Sequence, residues 1–177
     1  PVASKTEADP CSLADKRITT YRRAGKSKVF KLSTPSVESG EIWRAFTTEA
    51  QARFDYWVKC PVCGGHQLME FDRIRVPEGE RDPERIEAER MAWYDCAHCP
   101  AKWDDAVRDA AVRAGEWRER ETGEEMFSFL DRVKPHKIGF HLPAWISYFV
   151  TLSEGASAFF RGQKDKNKLK VFMNNYK

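Results

Sequence analysis

The chain has 177 residues, 41% hydrophobic and 32% charged, with a formal charge of +3 at pH 7. That length suits one ordinary domain or a small domain with an insert, and six Trp and eleven Phe are enough to build a core. No apolar run reaches the ~18 residues of a membrane-spanning helix, and a net charge this small names no partner by itself.

In chain order, residues 9–23 (DPCSLADKRITTYRR) open with helix-start chemistry. Asp9 precedes Pro10 at the first turn, and Leu13, Arg17 and Ile18 follow at helical spacing. GKSK breaks that pattern. KVFKLSTPS (28–36) reads as a compact apolar strand ending in small hydroxyl residues and a proline. Ser36 or Ser39 is placed to cap a helix over GEIWRAFTTEAQ, with Ile42, Trp43 and Phe46 on one face. Helix, strand, helix is the pattern of an α/β sheet.

FDYWVK then leads as a strand into CPVCGG (60–65), and HQLMEFDRIRV follows it. MAWYD leads into a second cysteine pair in YDCAHC (94–99). Between the pairs, residues 78–90 (EGERDPERIEAER) carry six acids and three arginines and read as a loop or short helix inserted between strands. DDAVRDAAVRAGEW (104–117) is a helix capped by Asp104, striped by Val107, Ala110, Ala111 and Ala114, and ended by Gly115. Residues 118–136 are polar and loop-like. KIGFHLPAW (137–145) is a strand stopped by Pro143. SEGASAFFRGQ and KDKNKLKVFMNNY close the chain as two helical stretches, the second with Leu169, Phe172 and Met173 facing inward. There is no internal repeat. The chain starts at Pro1 without a methionine and its last residues read as an unfinished helix, so a piece of a longer protein is expected.

Cys60, Cys63, Cys96 and Cys99 form a CxxC…CxxC set. Two such knuckles can bring four thiolates tetrahedrally onto one zinc ion. Gly64 and Gly65 supply permissive backbone after the first knuckle, while Pro61 and Pro100 stiffen the approaches. Residues 64–95 separate the pairs, more than the ~15–20 residues of the commonest ribbons, and the charged segment accounts for the excess. Disulfides are the competing use of such cysteines, but nothing in the sequence suggests secretion. A four-cysteine site is closed, so its zinc is expected to be structural, holding together a zinc ribbon with too small a core of its own. His66 and His98 sit beside the knuckles and are read as bystanders, as is Cys11.

Outside the cysteines, LSTPS is the suggestive stretch. Ligands bind at the carboxyl ends of strands in open α/β sheets, and Ser33 and Thr34 stand at such an end. Thr34, before Pro35, is pushed to extended geometry. Two hydroxyls there can touch a phosphate or position a water; equally, Ser and Thr favour strand-to-helix turns without any ligand. There is no GxxxxGK[ST] loop and no Ser-His-Asp order. His141 reads as a strand histidine at a polar edge, and the Asp and Glu residues sit in charged, helical or loop segments with no isolated pair in an apolar setting. Trp43, Trp57, Trp93, Trp103, Trp117 and Trp145 are core anchors by default. Residues 161–177 carry six bases and one acid. Lys164, Lys166, Lys168 and Lys170 are candidate DNA contacts, or simply a solvated face, since alternation at every second residue spreads them around a helix.

The succession DPCSLADKRITTY, KVFKLSTPS, WVKCPVCGGHQLMEF, WYDCAHCPAKW, GEWRE, IGFHLPAWIS and KLKVFMNN resembles the large terminase subunit of tailed phages, in the lambda-like GpA group, over nearly the whole chain. The resemblance implies an α/β fold, the C-terminal part of a RecA-like P-loop ATPase sheet, with an inserted zinc-ribbon β subdomain and C-terminal helices. Residues 1–58 would end the ATPase domain, 59–103 would be the ribbon, and 104–177 would return to the ATPase and lead on to a nuclease domain. It implies a motor that drives double-stranded viral DNA into a procapsid and cuts it, with a terminase small subunit and a portal protein as partners, in the host cytoplasm. Ser33, Thr34 and Pro35 match the family's coupling motif, which links the nucleotide state to movement on DNA. The ATP-binding loop and the acidic pair for magnesium would lie before Pro1 and the nuclease carboxylates beyond Lys177, so ATP and Mg belong to a longer chain and these residues alone would be inactive. The acidic insert departs from many ribbons. Two other readings remain at this point: a stand-alone zinc-ribbon nucleic-acid-binding module, and a structural adaptor whose ribbon docks a protein partner.

Overall fold

A computed structural model of the chain describes residues 10–35 and 40–176. The chain divides into two compact units, Pro1–Ser33 and Thr34–Lys177.

The first unit holds helices α1 (Pro10–Arg17) and α2 (Thr19–Arg23). They are stitched at the joint by the Thr19 hydroxyl, which donates to the Lys16 carbonyl at 2.8 Å. Gly25, at φ +66°, takes the left-handed turn that ends them, at the predicted break. The side chain of Cys11 and the predicted cap at Asp9 lie outside the described residues. The strand expected over 28–36 does not form in the described part, and residues 26–35 have no regular secondary structure. A strand needs a neighbour to take its backbone hydrogen bonds, and no strand among the described residues pairs with this segment. Its apolar side chains are correspondingly open, with Phe30 89% and Leu32 92% exposed.

The second unit opens with α3 (Glu41–Arg44), which runs into a π-helical turn at Ala45–Glu49. Gly40 stands at its N-cap with no side-chain bond. Ser36 and Ser39, the predicted caps, lie outside the described residues. There follow β1 (Ala52–Lys59), β2 (His66–Gln67), β3 (Ile74–Arg75), α4 (Pro83–Ala88), β4 (Trp93–Asp95) and β5 (Lys102–Trp103). The rest is α5 (Asp105–Arg113), β6 (Glu116–Glu119), α6 (Met126–Val133), β7 (Ile138–His141), α7 (Leu152–Gln163) and α8 (Lys166–Tyr176).

β1 is the hub of a mixed sheet. It pairs antiparallel with β6 (Phe54 opposite Glu119) and with β2 (Val58 opposite Gln67), and parallel with β7 (Phe54 opposite Phe140). Alternation sends Ala52, Phe54 and Val58 into the core. A second, antiparallel sheet runs β3-β4-β5, with Tyr94 between Ile74 and Trp103.

The charged segment is anchored by two buried side chains, Pro83 and Ile86, while most of its charged residues stay exposed. Its α4 is capped by the Asp82 carboxylate, which accepts from the Glu84 N–H at 3.1 Å, and Ile86 is fully buried. Two of its acids face α7: Arg161 reaches Glu84 and Glu87 at 2.8 Å each, the Ser157 hydroxyl donates to Glu87 at 2.9 Å, and the Ala92 N–H donates to the Ser153 hydroxyl at 2.9 Å.

α5 starts at its predicted cap, with Asp104 accepting from the Val107 N–H at 2.8 Å. Its buried face is Arg108, Ala111 and Val112 rather than the full alanine stripe, and Ala114 is exposed. Arg108 tolerates burial because its guanidinium donates to the Trp145 and Val150 carbonyls at 2.9 Å each and to Asp109 at 2.7 Å. Residues 118–136 are not a loop. β6 ends in a tight turn in which the Glu119 carboxylate accepts from the N–H groups of Glu121 and Thr122 and the Thr122 hydroxyl. Glu125 then caps α6 through the Phe127 and Ser128 N–H groups, and α6 lays Met126, Phe129 and Leu130 beside Phe54.

The main core is continuous from Cys60, Cys96, Tyr94 and Trp103 through Ile86 to Trp145, Leu152, Ala156 and Phe172. Among the tryptophans Trp103 and Trp145 are buried anchors, Trp43 is exposed, and the other three are half-buried. On α8 Phe172 faces inward as expected, but Met173 is 45% exposed.

Candidate metal centre

The two cysteine pairs reach one point along separate routes. Cys60 closes β1, and a tight turn returns the chain to β2. The turn is fixed by Gly64 N–H to the Cys60 carbonyl and Cys60 N–H to the Gly65 carbonyl, both 2.9 Å, with Gly64 at φ +72°. The second knuckle follows β4 and is closed by Cys96 N–H to the Ala101 carbonyl at 3.0 Å.

The four Sγ atoms lie within 4.8 Å of one another. Cys60 and Cys99 are 3.9 Å apart, as are Cys63 and Cys96. A tetrahedron with metal-to-sulfur distances of ~2.3 Å has edges of about 3.8 Å, whereas a disulfide needs ~2.05 Å. All four are free thiols, and the set fits a metal such as zinc. Backbone N–H groups of Val62 and Cys63 point at the Cys60 sulfur at 3.4 and 3.5 Å, and that of His98 at the Cys96 sulfur at 3.4 Å. Burial opposes ionisation of Cys60, but the Cys63 and Val62 N–H groups outweigh it and draw the thiol down. At Cys96 burial wins and pushes the thiol up. Four sulfurs close the coordination sphere, leaving no position for water or substrate, so such a metal would staple and not catalyse. Neither histidine joins the sulfurs. The His98 ring Nε2 is 3.0 Å from the His66 carbonyl, and the His66 ring lies 3.9 Å from Glu116.

Ser33, Thr34 and Pro35 are exposed in the segment without regular structure, and the boundary between the two units falls between Ser33 and Thr34. Lys164 ends α7, and Lys166, Lys168 and Lys170 lie on α8; all four are exposed.

One charged group escaped the sequence reading. Asp55 lies in the apolar strand RFDYWVK and is only 6% exposed, correcting the expectation that the acids all sit in charged, helical or loop segments. Arg120 holds both its oxygens, at 2.7 and 2.6 Å, and His141 Nδ1 lies 3.4 Å away. Burial alone would raise its pKa; the Arg120 and His141 hydrogen bonds outweigh that and hold the carboxyl well below the usual range. Alternation puts Asp55 on the face opposite Ala52, Phe54 and Val58, so its burial is not legible from the strand pattern. The polar edge expected around His141 is this carboxylate. No helix among the described residues is long and apolar enough to cross a membrane.

Fold and site define a mixed α/β protein whose larger unit is built around a four-cysteine centre able to hold a structural metal. The family described as phage terminase large subunit gpA, ATPase domain, matches residues 1–117. The chain belongs to this family of ATPases. No curated protein and no solved structure matches it.

Proposed function

We propose that the chain is part of the large subunit of a phage DNA-packaging terminase, in which ATP turnover drives double-stranded viral DNA into a procapsid. The family match over residues 1–117, which takes in Ser33–Pro35 and both cysteine pairs, carries this reading. Ser33, Thr34 and Pro35 act as the element coupling nucleotide state to movement. Cys60, Cys63, Cys96 and Cys99 hold a structural zinc that staples residues 59–103 as a ribbon, with 1–58 completing a RecA-like ATPase sheet and 104–177 leading toward the nuclease. The sequence has no GxxxxGK[ST] loop, so ATP and Mg bind where this segment is joined to such a loop. DNA cutting likewise requires nuclease carboxylates from elsewhere in the protein. The terminase small subunit and the portal are the partners, the host cytoplasm is the site of action, and the exposed lysines of α8 offer charge to DNA phosphates.

DNA-stimulated ATP hydrolysis, measured on the protein carrying both this segment and its phosphate loop, tests the reading. Thr34→Ala should abolish the stimulation by DNA or uncouple it from translocation, with the metal still bound. Absence of DNA-stimulated turnover in the unsubstituted protein would sink the proposal.

A further inference from the structure

Two knuckles separated by residues 64–95 must meet before four sulfurs can share one ion. If only the metal joined them, metal binding would bear the whole entropy of closing that loop. Two cross-links that do not use sulfur already join them. Gln67, on β2, is 3% exposed, and its Oε1 accepts from the Ala97 N–H at 2.6 Å, in the middle of the second knuckle. The Cys96 sulfur lies 3.7 Å from the same oxygen. The partner atom Nε2 is buried with no hydrogen-bond partner among the described residues. It is a donor beside a centre that gains negative charge when four thiolates take up a divalent ion. The second cross-link is the His98 ring, whose Nε2 donates to the His66 carbonyl at 3.0 Å. The ring lies so close over Gly65 that an added Cβ would stand 2.8 Å from its Cδ2. Each link ties the second knuckle to residues 65–67, just after the first.

We propose that Gln67 and His98 are positioning residues of the metal centre, holding the two cysteine pairs in register so that the four sulfurs converge ahead of the metal. The proposal rests on the reading of the four cysteines as a metal site. His98 is thus neither a ligand nor a bystander, and the glycine at 65 is required by the ring above it rather than by turn geometry alone.

The test loads the full chain with cobalt(II), whose absorption reports the ligands, and follows transfer of the metal to a chromophoric chelator. Gln67→Ala and His98→Ala should each release metal about 10–100-fold more readily, with the absorption of four-sulfur coordination unchanged. His98→Gln, which keeps an N–H donor, should recover part of the loss. Ile86→Val, in the same core but touching neither knuckle link, should lower thermal stability and leave release unchanged. If Gln67→Ala does not fold, Gln67→Glu keeps the acceptor for Ala97, removes the orphan donor, and should still release faster. Release at the wild-type rate from both alanine variants overturns the proposal, as does release that merely tracks thermal stability through Ile86→Val. A wild-type chain that takes up no cobalt at all removes the metal reading itself, a result distinct from either.

Discussion

Asp55 shows how one residue couples sheet, charge and stability. Its carboxylate is buried at the hub strand and survives there because Arg120 grips both oxygens from the end of β6. Removing the guanidinium leaves a buried acceptor short of donors. Arg120→Met should therefore cost about 1–2 kcal/mol at neutral pH, the partial solvation of Arg120 keeping the figure low. The pH dependence has a definite sign. The folded carboxyl titrates below its unfolded value of ~3.9, so its contribution is complete above that value and is lost progressively as pH falls below it toward the depressed folded value. Urea unfolding should give a constant gap between wild type and variant from about pH 5 to 8, closing below about pH 4. A gap that persists unchanged in acid would mean that the ion pair is not what Arg120 contributes.

At the scale of elements, the acidic segment between the knuckles is the clearest case of packing deciding what composition leaves open. By sequence, residues 78–90 read as a loop or short helix inserted between strands; in the fold a short helix forms, Ile86 enters the main core, and Glu84 and Glu87 answer Arg161 across to α7. Ile86→Ala should then cost about 2–4 kcal/mol in a urea titration, as for a core residue, where a solvated loop would lose under about 0.5. Elements with strong local signals were legible. Asp104 caps α5, the run RFDYWVK makes β1, and the spacing of the cysteines anticipates a shared centre, because caps, alternation and knuckles are local chemistry. What the sequence hid was set by distant partners. KVFKL has the composition of a strand but no neighbour to pair with among the described residues, so its apolar side chains stay exposed. Met126, Phe129 and Leu130 form one helical face, yet the polar residues around them concealed it until Phe54 supplied the surface. Arg108 is buried on a helix because two carbonyls from the segment after β7 receive it.

For the whole molecule, the four-cysteine centre is part of the core and not an appendage to it. Cys60 and Cys96 belong to the same buried cluster as Leu152 and Ala156 of α7 and Phe172 of α8. The family match gives the chain its place among terminase large subunits, and a metal at the centre would give its larger unit a fixed frame. X-ray absorption at the zinc edge on the purified chain tests this centre most directly. One zinc per chain surrounded by four sulfurs at ~2.3 Å is the predicted result. Nitrogen or oxygen neighbours at the ion, or a metal-free chain with its cysteines joined in disulfides, would contradict it.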